Sequence, residues 1–117
     1  MGALTTHVLD TARGVPARCV GIALHRIDGD TRNTLTRAVT NDDGRVDAPL
    51  LRDETFTVGI YELTFAIGAY FRGAGVPLAD PPFLDEVVIR FTVGDAGAHY
   101  HVPLLASPWS YTTYRGS

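Results

Sequence analysis

Residues 99–117 read HYHVPLLASPWSYTTYRGS, and this stretch decides the fold class. His99 to Ala106 is an apolar run led by two histidines, the pattern of a strand with a covered face. Ser107-Pro108 then interrupts it as a hairpin loop. Trp109 to Tyr114 resumes as an aromatic and threonine-rich strand, the composition that favours extended backbone. Tyr114-Arg115-Gly116-Ser117 follows, a polar and charged ending that reads as part of a site.

Working outward, the same strand-and-turn grammar recurs. Glu86 to Val93 alternates, with Val87, Ile89, Phe91 and Val93 on one side, and Gly94 to Gly97 is a turn. Asp80-Pro81-Pro82 is a rigid loop that cannot join a sheet. Phe56 to Ile67 supplies one or two strands with Val58, Ile60, Leu63, Phe65 and Ile67 as core candidates. Gly68 to Gly73 is the one stretch suited to a short helix, closed by Gly73 or Gly75. Thr31 to Thr40 is a polar strand, followed by a dense turn signal at Asn41-Asp42-Asp43-Gly44 and then Arg45. Arg18 to Asp28 is a strand with Cys19, Gly21, Ala23 and His25 opposite Val20, Ile22 and Leu24. In Leu4 to Asp10, His7 shares a face with Thr5 and Leu9. Seven or eight short strands and one short helix predict an all-β antiparallel sandwich, with residues 1–117 as a single domain.

Bulk properties narrow the function classes. The chain has 117 residues, 45% hydrophobic and 20% charged, which is ordinary for a globular protein. Its net charge is −3 with no basic cluster, so no nucleic-acid partner is expected. All ten basic residues are Arg. Cys19, the lone cysteine, has no internal disulfide partner. No signal peptide is visible, and no run approaches the roughly 18 apolar residues of a membrane helix. A cytoplasmic protein with no membrane partner is the expectation.

Three groups of polar residues stand in strand context: His7, Arg45 and the stretch from His99 onward. His99 and His101 share a face, and a zinc ion would accept such a pair with His7 as a third ligand. A two-residue histidine spacing is common by chance, however. The alternative is metal-free hydrolysis. Histidine can take a proton from water near neutral pH, arginine can hold a carbonyl or oxyanion, and the hydroxyls of Ser117 and Tyr114 can orient either. Taken singly, Arg45 also reads as a solvated charge after a turn, Tyr114 as an exposed aromatic, and His25 and Cys19 as filler on a sandwich face.

Longer matches now carry weight. His7 to Ala17, Tyr100 to Leu105 and Ser107 to Thr113 resemble the transthyretin-like proteins, as do Asn41 to Arg45 and Gly68 to Phe71. The likeness runs along the whole chain. That family has a hydrolase branch, acting on 5-hydroxyisourate, and a hormone-carrier branch. Carriers have Lys where His7 stands, no His at the place of His101, and a longer ending without Tyr-Arg-Gly-Ser. Ala106 departs from the usual Leu.

The resemblance implies a prealbumin-like Greek-key sandwich and ring-opening of 5-hydroxyisourate by water in urate breakdown. It implies His7, Arg45, His101 and Ser117 as catalytic residues. Substrate would be bound by His7, Arg45, Tyr114, Arg115, Gly116 and Ser117, without metal or cofactor. It further implies a homotetramer, a dimer of dimers with sites at the dimer–dimer interface. A carrier without catalysis is the alternative.

Overall fold

The computed structural model describes residues 2–117. In chain order the strands are β1 (Ala3–Thr5), β2 (Val8–Asp10), β3 (Val15–Pro16), β4 (Gly21–Asp28), β5 (Thr31–Val39) and β6 (Leu51–Arg52). They continue with β7 (Gly59–Ala66), β8 (Glu86–Val93), β9 (His99–His101), β10 (Leu104–Ala106) and β11 (Tyr111–Thr113). Helix α1 (Ile67–Gly73) lies between β7 and β8, and Gly75 follows it at φ 75°.

One layer is the antiparallel sheet β5-β4-β7-β8. The other consists of two shorter sheets, β6-β1-β9 and β11-β10-β2-β3. Because β1 leads into β2 and β9 into β10, these two sheets share a crease. Leu4, Val8, Val102 and Leu104 from this layer pack against Leu24, Tyr61, Leu63, Phe65 and Val87 from the other. Full burial of one such side chain is worth roughly 1.5–3 kcal/mol, so this interlayer core is what holds the sandwich closed.

The sandwich and the short helix agree with the sequence reading, and Glu86–Val93 is a strand over the expected span. Four details differ. Leu4–Asp10 and His99–Ala106 are each two strands, broken at Thr6-His7 and at Val102-Pro103. Pro103 offers no N–H to the ladder, and the Thr6 hydroxyl donates instead to the Val102 carbonyl at 2.7 Å. Main-chain bonds on either side, Val102 N to Thr5 O and Leu104 N to His7 O, keep the two chains in step across the crease.

Second, β1 with β9 and β2 with β10 are parallel pairs within the otherwise antiparallel arrangement. Third, Val58 and Ile60 are 55% and 39% exposed. Val58 precedes β7, and the pleat turns Tyr61, Leu63 and Phe65 inward, leaving Ile60 on the opposite face. Fourth, Cys19 stands ahead of β4, exposed and at φ 62°. His25 lies on the outer face of its sheet, only 2% exposed, where Arg32 donates to its Nε2 at 3.1 Å.

Candidate active site

The crease places polar side chains on the outer face of the smaller layer. From Gly2 to Asp10 burial alternates without a fault, with Leu4, Thr6 and Val8 inward and Thr5 and His7 half-buried on the other side. Parallel pairing sets Thr5 opposite His101 and Ala3 opposite His99. The Thr5 hydroxyl therefore reaches both rings, 2.8 Å from His101 Nδ1 and 3.0 Å from His99 Nε2.

Arg45 arrives from the turn after β5. Asn41 shapes that turn, its Oδ1 accepting the N–H groups of Asp43 and Arg45 at 2.9 and 3.1 Å. Gly44 sits at φ 76°, where a side chain would strike the Val8 carbonyl and crowd His7 Cδ2. The turn is thereby pressed against β2, and His7 and Arg45 form an isolated antiparallel bridge. His7 donates from Nε2 to the Asp43 carbonyl at 2.8 Å. That bond fixes its tautomer and leaves Nδ1 as the nitrogen able to accept a proton.

Residues 114–117 return to the same place. Gly116 and His101 exchange two main-chain bonds, of 2.7 and 3.2 Å. The resulting cleft, about 350 Å³, is lined by Thr5, Thr6, Arg45, His99, His101, Ser117 and the segment Val46 to Pro49. His7 does not line it but is bridged to Arg45, which does. Tyr114 and Arg115 do not line it in the single chain; they border a separate hollow between β8 and β11. Arg115 instead lays its guanidinium 4.1 Å above the Tyr100 ring and donates to the His99 carbonyl at 3.2 Å.

The electrostatics divide the labour. Burial, reinforced by the charges of Arg45, His7 and His99, holds the His101 ring below the ordinary histidine value. It is thus neutral near pH 7, and a neutral imidazole can act as a base. Arg45 takes part in none of the ion pairs among the described residues, so its guanidinium is free to face a ligand oxygen. Among those residues no three His, Cys, Asp or Glu side chains converge as a metal-binding group. The facing nitrogens of His99 and His101 both meet the Thr5 hydroxyl.

The cleft thus lies on the outer face of a two-layer sandwich, built from β1, β9, Ser117 and the turn carrying Arg45. The sequence profile described as HIUase/Transthyretin family covers residues 4–116. The chain belongs to this family. Within the HIUase/Transthyretin family, it is 61% identical over 117 residues to the 5-hydroxyisourate hydrolase of Ralstonia nicotianae, spanning 100% of both chains. It superposes on the 5-hydroxyisourate hydrolase of Klebsiella pneumoniae with a TM-score of 0.82, at 37% identity and full coverage of both. Sea bream transthyretin in complex with thyroxine gives a TM-score of 0.86 at 28% identity, with 97% and 94% coverage. The Klebsiella pneumoniae hydrolase and sea bream transthyretin thus share the backbone seen here.

The sequence pattern does not single out Thr5, nor does it assign Asn41, Asp43 and Gly44 to the site. A signal for Thr5 existed, since it shares the face of His7 two residues away. The Asp43 carbonyl carries no side-chain signature at all. No helix among the described residues is long and apolar enough to cross a membrane.

Proposed function

We propose that this chain is a 5-hydroxyisourate hydrolase, opening the six-membered ring to 2-oxo-4-hydroxy-4-carboxy-5-ureidoimidazoline. The observation that carries the reading is that His101 shares one cleft with Arg45, whose guanidinium joins no ion pair among the described residues. In the reaction, His101 Nε2 takes a proton from water, and the oxygen attacks the ring carbonyl carbon. Negative charge gathers on the carbonyl oxygen beside Arg45, a contact of the kind worth about 3–4 kcal/mol in a transition state. The ring C–N bond then breaks, the nitrogen takes the proton from His101, and the carboxylic acid formed loses its proton to solvent, leaving a carboxylate on the opened ring. His7, pinned through Nε2, presents Nδ1 to substrate or water, and the Ser117 hydroxyl helps to orient them.

The active form is a homotetramer, a dimer of dimers with sites between the dimers. Two features support this: the half-buried outer face carrying Ala3, Thr5, His7 and Leu9, and the small size of the chain, which leaves a modest core of its own. Tyr114 and Arg115 shape the site indirectly, Arg115 through its hold on the strand of His99 and His101.

Generating 5-hydroxyisourate with urate oxidase and following its ultraviolet absorbance tests the proposal. Decay should be markedly faster with the protein present. A rate equal to spontaneous hydrolysis would sink it and favour a carrier, the reading suggested by the likeness to sea bream transthyretin.

A further inference from the structure

The Thr5 hydroxyl is the hub of a three-membered chain, with His101 Nδ1 at 2.8 Å on one side and His99 Nε2 at 3.0 Å on the other. A hydroxyl has one proton to donate. It cannot donate to both rings, so at least one ring donates to it through an N–H; where it donates to the other, the direction sets the tautomer of both.

Two considerations choose the direction. His99 is exposed, so its Nδ1 can keep a proton facing water at no cost. His101 lines the cleft with Arg45, whose positive charge favours a lone pair over an N–H on the free ring nitrogen. Thr5 then accepts from His101 Nδ1–H and donates to His99 Nε2. We propose that Thr5 is a positioning residue of the hydrolytic site, its hydroxyl anchored by His99 and holding His101 as the Nδ1–H tautomer with Nε2 open to water.

The geometry explains why a threonine on β1 suits the task. The parallel register places Thr5 opposite His101, while the Gly116 bridge holds the strand of His101 from its other edge. Arg115 fixes the same strand through the His99 carbonyl. When His101 Nε2 takes a proton, the ring becomes cationic and its Nδ1–H bond to Thr5 strengthens. The polarised hydroxyl in turn donates more strongly to His99. The pattern is a base oriented by a second group that is itself oriented.

The kinetic part of this inference rests on the hydrolase reading; the tautomer part does not. Thr5→Val removes the hydroxyl at nearly constant volume, and Thr5→Ser restores it. Thr5→Val should lower kcat roughly ten- to a hundredfold with KM within about twofold. Thr5→Ser should stay close to the parent, and thermal melts should show both variants folded. Nitrogen-15 NMR of the histidine rings reads the tautomer directly, with His101 protonated on Nδ1 in the parent and in Thr5→Ser. In Thr5→Val the ring should pass to a mixture or to the Nε2–H form. The groups facing His101 are Arg45, His7 and His99, and none is altered in these variants. An Nε2–H tautomer in the parent overturns the proposal even if Thr5→Val fails to fold, as does an unchanged kcat in a folded Thr5→Val. A parent without hydrolase activity removes the function instead, and the NMR result still judges Thr5.

Discussion

Gly116 lies flat against His101: a Cβ at Gly116 would stand 3.1 Å from both Cβ and Cδ2 of the histidine. Two main-chain bonds hold the pair together, so neither partner can retreat without opening the bridge. Gly116→Ala should tilt the His101 ring away from its water. Activity should fall roughly ten- to a hundredfold, with little change in melting temperature, because residues 109–115 are exposed and contribute little to the core. Steady-state kinetics beside a thermal melt checks both halves.

His101→Asn preserves polarity and approximate size but removes the group that accepts a proton near neutral pH. The expected loss in kcat is about 10²–10⁴-fold with the fold intact. Parental rates would remove His101 from the role of base.

Arg45→Met should cost about 3–4 kcal/mol of transition-state stabilisation. A second effect is specific to this geometry. After burial, the Arg45 charge is the largest influence lowering the His101 pKa. Its removal should move the acid limb of the residual activity toward higher pH. In the parent that limb should lie below the usual histidine value of 6.5, and a profile of kcat/KM against pH decides the matter.

Asp10 is buried, which alone would raise its pKa, yet hydrogen bonds from Arg13 and Tyr70 prevail and hold it below 3.8. A carboxylate depressed in the folded state contributes stability that is complete above its unfolded pKa and lost as pH falls through the folded value. Tyr70→Phe deletes the 2.8 Å donor to Asp10. It should cost about 1–2 kcal/mol at pH 7 and less at pH 3, as read by denaturant unfolding at the two pH values.

Gly44→Ala forces an L side chain into φ 76° and onto the Val8 carbonyl. A loss of roughly 1–3 kcal/mol follows from the backbone strain, together with displacement of His7. Reduced melting temperature and reduced activity should appear together.

The strands were legible where periodicity and turn signals coincide, as at Glu86–Val93 bounded by Pro82 and Gly94. The crease was hidden because inward and outward residues keep alternating through Thr6-His7, so the pattern carries no mark of the break. Ile60 misled for a related reason: it is apolar on a face whose neighbours Glu62 and Thr64 are polar. The family resemblance, rather than residue type alone, pointed to His101, Arg45 and Ser117, and these three line one cleft. The resemblance did not suffice for Thr5, whose part depends on a parallel register that no local pattern encodes. Nor did it suffice for Tyr114 and Arg115, whose side chains turn toward β8 and Tyr100.

The uninterrupted alternation across the crease has a genetic corollary. Along residues 2–10 the even positions carry the core, whereas the odd positions 5 and 7 carry the chemistry. The same parity holds for inward Tyr100, Val102 and Leu104 against outward His99 and His101. Codons of one parity can therefore drift or be exchanged with little charge on folding.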